Sequence, residues 1–298
     1  MGKFTVARYD ELVTERGYPL STFFVLSPCV WKEHGRYHVL VRAVNRSEEA
    51  AEKVARIFYG AGDSALRFTM DASPAIAPGP QEDDKDGAED PTLASSDGTY
   101  YVFYSGWNQS KREGHLLLAS GRDIRHLTKQ GRVLGDTGFR NAKEATIVKA
   151  ADGNWRLFFE FAEDDRSKIG CATAASLAGP WTCGQEPFRY RDGAWDSWHL
   201  SPGPVITREG GLPVMFYNGA DQNARWRIGW VEFDKKFGKI TGRCEDPLVH
   251  PPREKRHPDD TDIAFASSAV EEGHGIGLYY SIADQYMMRA LVARPAAS

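Results

Sequence analysis

Residues 97–104 read Asp97-Gly98-Thr99-Tyr100-Tyr101-Val102-Phe103-Tyr104, a glycine turn that runs into aromatic and β-branched side chains. This order of residues is typical of a hairpin turn that feeds a β-strand. Four further copies of the pattern occur, two of them plain and two weaker: 152–159, 210–217, 35–42 and 274–280. The chain therefore repeats one supersecondary unit five times.

The spacing of the copies predicts how the units assemble. Their turn glycines recur about every 55 to 65 residues, which is longer than one hairpin and close to one four-stranded propeller blade. Five such units nearly fill the 298 residues, and no useful helix-period stretch lies between them. We expect an all-β fold, a five-bladed β-propeller with four-stranded antiparallel blades around a central channel, as a single domain over residues 1–298.

The composition excludes several classes of protein. A formal net charge of -4 and a pI near 6.1 give no basic field for nucleic acid or for an anionic membrane. Hydrophobic runs are far shorter than the roughly 20 residues of a membrane span. The opening segment, Met1 to Glu15, is too polar for a signal peptide. We expect a cytoplasmic protein without nucleic-acid or membrane partners.

The cysteines give no sign of a metal site. They lie in different repeats without short metal-type spacing: Cys29, Cys171, Cys183 and Cys244. In a cytosolic chain such residues are usually buried thiols. We expect neither a metal nor another cofactor.

Polar residues precede the aromatic strands, where the innermost strand of each blade should run. Glu89 and Asp90 stand before the second copy, and Lys143 and Glu144 stand before the third. The corresponding stretches of the other copies supply three further polar side chains: Ser27, His199 and Asp262. Because the blades of a propeller surround one channel, these residues can share a site although they lie far apart in sequence.

Carboxylates that converge on a channel beside aromatic side chains suit the cleavage of a glycosidic bond. One acid protonates the leaving oxygen, and a second group often positions the attacking molecule. Asp90 and Glu144 are the candidate catalytic pair, and an oligosaccharide or glycoside is the expected substrate. Trp107, which follows the second copy, is a candidate for stacking on a sugar face.

Several motifs, none of them intact, carry a resemblance to a known family. Glu89-Asp90-Pro91 with Tyr100-Tyr101 matches a Glu-Asp-Pro-Arg element, and Lys143-Glu144-Ala145 matches a Lys-Asp-Ala element. The remaining matches are Ser27-Pro28, Arg42, Gly203 to Thr207, Tyr217-Asn218-Gly219 and Tyr279 to Asp284. On these residues nearly the whole chain resembles glycoside hydrolase family 130, the five-bladed inverting β-mannoside phosphorylases and β-mannosidases.

The resemblance implies roles for individual residues. Asp90 would be the acid, which in that family protonates the leaving oxygen through a hydroxyl of the sugar. Arg42 and Asp284 would bind the hydroxyls of that sugar through charged hydrogen bonds. Ser27 stands where the family has asparagine, and this substitution changes which sugar hydroxyl the site recognises.

The attacking molecule is either water or inorganic phosphate. A phosphorylase must hold a phosphate dianion, which requires several Arg, Lys or His donors. Two such family positions are occupied here by Thr92 and Asn218, whereas Lys143 remains and His199 or Arg140 could compensate. We favour hydrolysis, with water activated by Glu144 or a nearby carboxylate, and keep inverting phosphorolysis as the alternative.

Two rival interpretations stay open. A related five-bladed clan of furanosidases and xylosidases also places an aspartate beside a proline ahead of an aspartate-glycine strand, with a catalytic glutamate in a later blade. Glu144 or Glu160 would fill that role. The other rival is a sugar-binding propeller without catalysis, whose stacking side chains would be Trp107, Trp195, Trp198 and Trp226.

Overall fold

The computed structural model describes residues 4–49, 52–135, 138–207, 210–273 and 275–294. Their regular structure is almost entirely β-strand, with short 3-10 turns such as Leu20–Thr22 and Glu82–Asp84. No helix in these ranges is long and apolar enough to cross a membrane. The predicted all-β class is confirmed. His274, the first residue of the fifth copy, lies outside the described residues.

The strands pair with their chain neighbours in antiparallel hairpins. After β1 (Thr5–Glu11), a first run contains β2 (Val13–Glu15), β3 (Phe24–Glu33), β4 (Arg36–Val44), β5 (Ala55–Ser64) and β6 (Arg67–Ile76). A second run contains β7 (Gly87–Ser96), β8 (Thr99–Asn108), β9 (Glu113–Gly121) and β10 (Thr128–Arg132). One parallel bridge, Ala55 to Gly87, joins the two runs into a nine-stranded sheet.

The middle of the chain continues the pattern. A four-stranded sheet is formed by β11 (Arg140–Lys149), β12 (Trp155–Glu163), β13 (Arg166–Ala174) and β14 (Thr182–Cys183). Two small sheets follow, built from β15 (His199–Ser201), β16 (Val205–Ile206), β17 (Val214–Met215), β18 (Asn218–Ala220), β19 (Trp226–Ile228), β20 (Val231–Phe233) and β21 (Ile240–Arg243).

The last sheet joins the two ends of the chain. It contains β22 (Ala264–Glu272), β23 (Gly275–Ile282) and β24 (Tyr286–Ala293), and β1 pairs with β24 at its outer edge. Thr5 lies opposite Ala293 in this antiparallel pair. The first strand thereby closes the last sheet, which couples the two ends of the fold.

The repeated aromatic strands supply the hydrophobic core. β8, β12 and β23 each have a paired strand on both sides, and Tyr104, Phe158, Phe159 and Tyr279 are almost completely buried. The glycine turns adopt the backbone that the pattern predicts, because Gly98 has a φ of +70°. The repeat therefore marks the buried central strand of each hairpin pair, flanked by its turn.

One strand from each successive part of the chain, which we call the inner strand, contacts the next in a closed order: β3 with β7, β7 with β11, β11 with β16, β16 with β22, and β22 with β3. Single side chains form hydrogen bonds across each of these boundaries. Ser27 Oγ donates to Asp90 Oδ1 at 2.7 Å, and Thr92 Oγ1 donates to the Ala145 carbonyl at 2.6 Å.

The remaining links complete the circle. Thr146 Oγ1 donates to the Gly203 carbonyl at 2.9 Å, and the Ala266 amide donates to Asn218 Oδ1 at 2.7 Å. Ser268 Oγ donates to the Pro28 carbonyl at 2.6 Å and accepts from the Val30 amide at 2.8 Å. We call these five links the inner ring. They satisfy backbone groups that the sheets leave unpaired.

The number of separate blades stays a prediction. The first two runs are joined by their bridge, and the segment from β15 to β21 is divided between two sheets. The division has a local cause, because Pro202, Pro204 and Pro213 lack the amide hydrogen that a continuous ladder needs.

The Ser268→Ala substitution tests the inner ring. The change removes one donor and one acceptor, and leaves the buried Pro28 carbonyl and Val30 amide without their partner. We expect the free energy of unfolding to fall by about 1–3 kcal/mol, measured from the urea midpoint. Ser73→Ala, at an exposed position of β6, should leave the midpoint unchanged. Equal midpoints for both variants would contradict the prediction.

Candidate active site

A cavity of about 330 Å³ opens where the inner strands meet. Its lining contains many charged or polar side chains: Ser27, Arg42, Lys53, Asp90, Lys143, Glu144, Glu160, Ser281 and Asp284. Apolar side chains complete the wall: Phe24, Leu26, Val44, Trp226, Ile263 and Phe265. Six of the ten sequence-predicted site residues lie here: Ser27, Arg42, Asp90, Lys143, Glu144 and Asp284.

A repeated backbone irregularity directs three of these side chains into the cavity. The strand register shifts at the same place in β3, β7 and β11. At each shift one residue adopts a positive φ: Ser27 at +51°, Asp90 at +47° and Glu144 at +50°. Such bulges bend a strand and re-aim a side chain, and they recur at active sites. Proline follows both Ser27 and Asp90, where a bulge tolerates the missing amide.

Asp90 is buried, with 6% of its surface exposed. It accepts from Ser27 Oγ at 2.7 Å and from Arg42 Nη1 at 3.3 Å. Burial acts to raise the pKa of Asp90, but Arg42, Ser27 and their charged neighbours outweigh it and lower the pKa. Asp90 is therefore ionised in the free site.

Glu144 has the opposite tendency. Burial and then the charge of Asp90 raise the pKa of Glu144 well above its ordinary value, despite the opposing charge of Lys143. A hydrogen bond between the two carboxyls lowers the pKa of Asp90 and raises that of Glu144. The two side chains therefore form a carboxyl pair with separated pKa values, in which Glu144 is the member that favours its protonated form.

Arg42 bridges two carboxylates on the wall above the pair. Its Nη2 lies 3.0 Å from Glu89 Oε1, and its Nη1 lies 3.3 Å from Asp90 Oδ1. Burial acts to lower the pKa of Arg42, but Glu89 and Asp90 raise it overall. The buried Nε has no hydrogen-bond partner in the described residues. Arg42 thus fixes Asp90 and retains one donor. Glu89 directly precedes Asp90 in the chain, but its contact with Arg42 was not predicted from the sequence.

Lys143 stands on the opposite wall. Its Nζ lies 3.5 Å from Glu160 Oε1, and Glu160 also accepts from Ser167 Oγ at 2.9 Å. Glu160 is the main cause of the raised pKa of Lys143. The Lys143 side chain is 44% exposed, so its ammonium group is open to the cavity.

Asp284 stands at the open side of the cavity and also has a positive φ, +53°. The surrounding protein raises the pKa of Asp284 by limiting its solvation, against the effects of Arg42 and Lys143. Trp226 and Phe265 meet edge to face at 5.2 Å and form an aromatic side of the same opening. A sugar ring can contact such an apolar face while polar groups bind its hydroxyls.

Four of the predicted binding residues lie outside the cavity lining: Trp107, His199, Asn218 and Asp262. Asn218 is fully buried and bonds through both amide atoms to the backbone, including Ala266. Its side chain belongs to the inner ring and is not available to a substrate.

The other three stand near the opening or beyond it. His199 accepts from the Ser167 amide at 3.0 Å and stacks on Trp226 at 5.6 Å. Burial is the main cause of the lowered pKa of His199. Asp262 pairs with Arg225 at 3.0 Å, and Trp107 Nε1 donates to Gln109. His199 is therefore placed to support Trp226, one layer behind the lining.

The other candidate tryptophans also divide between the cavity lining and positions outside it. Trp226 lines the cavity, whereas Trp195 stacks on Tyr217 at 5.5 Å and Trp198 lies under the Arg166 guanidinium at 4.0 Å. Trp195 also donates to the Glu245 carbonyl. Both of these indoles are held by contacts with the protein, and neither lines the cavity.

Two cavity residues that the sequence analysis did not single out are Ser281 and Lys53. Ser281 lies in the Tyr279 to Asp284 segment, whose end carries Asp284. Lys53 lies in an exposed charged segment without a repeat position. Among the described residues, no group of three or more His, Cys, Asp or Glu side chains could hold a metal ion.

An all-β chain with a carboxyl pair, an arginine and an aromatic wall around one cavity belongs to the class of carbohydrate-active enzymes. The sequence model of the Glyco_hydro_130 family, described as beta-1,4-mannooligosaccharide phosphorylase, matches residues 4–293. The chain therefore belongs to glycoside hydrolase family 130 and is an enzyme of this mannoside-acting family.

Individual relatives are distant but cover most of the chain. The β-1,2-mannobiose phosphorylase of Thermoanaerobacter sp. (strain X514) is 23% identical over 282 residues, 91% of this chain and 90% of that protein. The Listeria innocua β-1,2-mannobiose phosphorylase, in complex with β-1,2-mannobiose, has a TM-score of 0.76 at 17% identity, covering 96% and 90% of the chains.

A second solved structure is described as one from the mannoside phosphorylase family 130, which contains glycoside hydrolases that target β-1,2 mannosidic linkages in Candida mannan. It has a TM-score of 0.80 at 21% identity and covers 100% of this chain and 96% of its own. The two structures share the fold of this chain. The family thus includes both phosphorylases and hydrolases by these descriptions.

Asp90→Asn tests the acid without removing the fold. Asparagine keeps an acceptor for Ser27 and tolerates the positive φ, but it cannot carry the proton. We expect kcat on a mannoside to fall by about 10²-fold or more, with little change in melting temperature. Asp97→Asn, at an exposed turn position with a φ of +52°, should keep the wild-type rate. Wild-type turnover by Asp90→Asn would refute the assignment.

Proposed function

We propose that the protein is an inverting β-mannoside phosphorylase. The observation that carries the proposal is that Lys143, whose side chain is partly exposed, lines the cavity together with the carboxyl pair of Asp90 and Glu144. The family match and the phosphorylase relatives favour phosphate over water as the attacking molecule. This preference replaces the hydrolysis that the sequence analysis favoured.

We also propose the architecture in which this site sits. The closed order of contacts between β3, β7, β11, β16 and β22 supports a five-bladed propeller, and the inner ring supports a central channel at the cavity. The pairing of β1 with β24 supports closure of a single domain over residues 1–298. Cytoplasmic location remains a prediction from the sequence.

The phosphate would bind at the wall that carries Lys143. Lys143 and Arg166 both lie close enough to His199 for their charges to add to the effect of burial in lowering its pKa. Lys143 lines the cavity, whereas Arg166 lies over Trp198, outside the lining. Lysine and arginine are the usual partners of phosphate oxygens. Lys143 therefore provides a cation at the cavity, with Arg166 behind it.

The reaction is a single displacement. A phosphate oxygen forms a bond to the anomeric carbon while the bond from that carbon to the leaving oxygen breaks, so a β-mannoside gives an α-sugar 1-phosphate. Glu144 gives its proton to Asp90, and Asp90 passes that proton toward the leaving oxygen. Solvent then returns one proton to the pair. Neither carboxylate forms a covalent intermediate, which leaves one inversion of configuration.

Hydrolysis is the second candidate, and one feature of the cavity favours it. Arg42 is engaged by Glu89 and Asp90, and Lys143 is engaged by Glu160. Two of the three lining cations are therefore already paired with carboxylates. A carboxylate-rich wall suits a water nucleophile better than a phosphate dianion.

Thr92 and Asn218, which replace two cationic residues of the family, do not exclude a phosphate site. Both side chains bond to the backbone in the inner ring, so neither position faces the cavity at which an anion would bind. Replacing them with Arg and His would bring bulk and charge into the ring.

The family match over residues 4–293 also supports a mannoside-acting enzyme better than a furanosidase or a non-catalytic sugar-binding protein.

The proton of Glu144 predicts a pH dependence. Because the pKa of Glu144 is raised, its proton persists above the ordinary carboxyl range, and kcat falls as the pH rises through that raised value. Glu144→Gln cannot release a proton, so kcat should fall by about 10²-fold and the alkaline limb should disappear. Glu163→Gln, at the exposed end of β12, should keep the wild-type profile. An unchanged pH profile for Glu144→Gln would contradict the assignment of the proton to Glu144.

Phosphate dependence separates the two candidate reactions. With β-1,2- and β-1,4-mannobiose as substrates, we expect turnover only when inorganic phosphate is present, with mannose 1-phosphate as a product. Lys143→Gln should raise KM for phosphate by about 10-fold or more. Lys149→Gln, an exposed position on the same strand, is the matched control. Free mannose formed equally fast without phosphate would establish hydrolysis instead.

A further inference from the structure

Ser281 is a cavity residue whose hydrogen bonding is incomplete. It lies in β23 with 2% of its surface exposed and lines the cavity together with Ser27. Its Oγ accepts from the Ser27 amide at 2.8 Å. In the described parts of the chain, no protein atom accepts the hydrogen of the Ser281 hydroxyl. A buried donor therefore remains available beside Asp90.

A comparison with Ser268 shows that this arrangement differs from a purely structural one. Ser268 lies in the adjacent strand β22 and uses both functions of its hydroxyl, as a donor to the Pro28 carbonyl and as an acceptor from the Val30 amide. Ser281 uses the acceptor function alone. Ser268 does not line the cavity, whereas Ser281 does.

Ser27 connects Ser281 to the carboxyl pair. Its amide donates to Ser281, and its hydroxyl donates to Asp90 Oδ1 at 2.7 Å. The bulge in β3, with Ser27 at a φ of +51°, allows the amide and the hydroxyl to reach different partners. The three residues form one chain of hydrogen bonds along the cavity wall. Against the effect of burial, the Ser27 hydroxyl helps to lower the pKa of Asp90.

We propose that Ser281 donates a hydrogen bond to a hydroxyl group of the sugar bound at Asp90, and that Ser27 is a positioning residue that orients the Asp90 carboxylate. The inference rests on the proposed function in taking the ligand to be a mannoside. A sugar hydroxyl oxygen is a suitable acceptor, and the Ser27 amide fixes the orientation of the Ser281 hydroxyl in advance. Ser281 would thus help to determine which sugar hydroxyl is read.

Substitution of Ser281 and substitution of Ser27 should change different measured quantities. For Ser281→Ala we expect KM for mannobiose to rise by about 10-fold with kcat less affected and the pH profile unchanged. For Ser27→Ala we expect the pKa of Asp90 to rise, because Asp90 loses a donor that favours its ionised form. Ser73→Ala, at an exposed position of β6, is the control, and it should leave KM, kcat and the pH profile unchanged.

Two measurements keep the test independent of turnover. Mannobiose binding by calorimetry in the Asp90→Asn background should weaken about 10-fold when Ser281→Ala is added. Carbon-13 NMR of labelled aspartate carboxyls, with the Asp90→Asn variant identifying the resonance, should show Asp90 titrating at higher pH in Ser27→Ala. Wild-type KM and binding in Ser281→Ala, or an unmoved Asp90 titration in Ser27→Ala, would overturn the inference.

The outcomes also separate this inference from the proposed function. If mannobiose is cleaved equally well without phosphate, phosphorolysis is refuted, while the effects of both serine variants remain decisive. If no mannoside binds or reacts with the wild-type protein, the proposed function fails and the role of Ser281 fails with it. The NMR titration still confirms or refutes the role of Ser27 in that case.

Discussion

The arrangement of the site depends on hydrogen bonds that cross from one inner strand to the next. Thr92, Thr146, Asn218 and Ser268 each bond to the backbone of a neighbouring strand. Ser27 makes the fifth link by bonding to the Asp90 side chain. A candidate catalytic residue is therefore a member of the ring. Because the links join strands from different runs, they fix the positions of residues far apart in the chain.

The bulges in the inner strands are the second requirement. Ser27, Asp90 and Glu144 each lie at the register shift of a different inner strand, where a bulge interrupts the regular alternation of side chains and re-aims one of them. Positive φ values at these non-glycine residues are strained, especially for Ser27 and Asp90 because a proline follows each. Strain of this kind persists at functional sites when the surrounding structure determines the backbone. Here the hydrogen bonds of the inner ring hold the strained backbone in place.

The charges of the cavity are organised around a small number of cations. Arg42 holds Glu89 and Asp90, while Lys143 faces Glu160 and acts electrostatically on Glu144. Separated environments give two neighbouring carboxyls different affinities for a proton, which suits acid catalysis. The same ion pairs limit how much positive charge is free for an anion. The balance between phosphate and water therefore depends on the Lys143 wall rather than on the carboxyl pair.

The sequence by itself determined the all-β class, the repeat and six residues of the cavity, because hairpin turns, alternating strands and the position of polar residues within a repeat are local properties. It could not place Asn218 or Thr92, whose partners lie on other strands, nor identify Ser281, whose importance comes from contact with Ser27, 254 residues away in the chain. Which carboxyl of the pair favours its protonated form was likewise decided by the tertiary structure, since burial and the distances to Arg42 and Lys143 exist only in the folded protein.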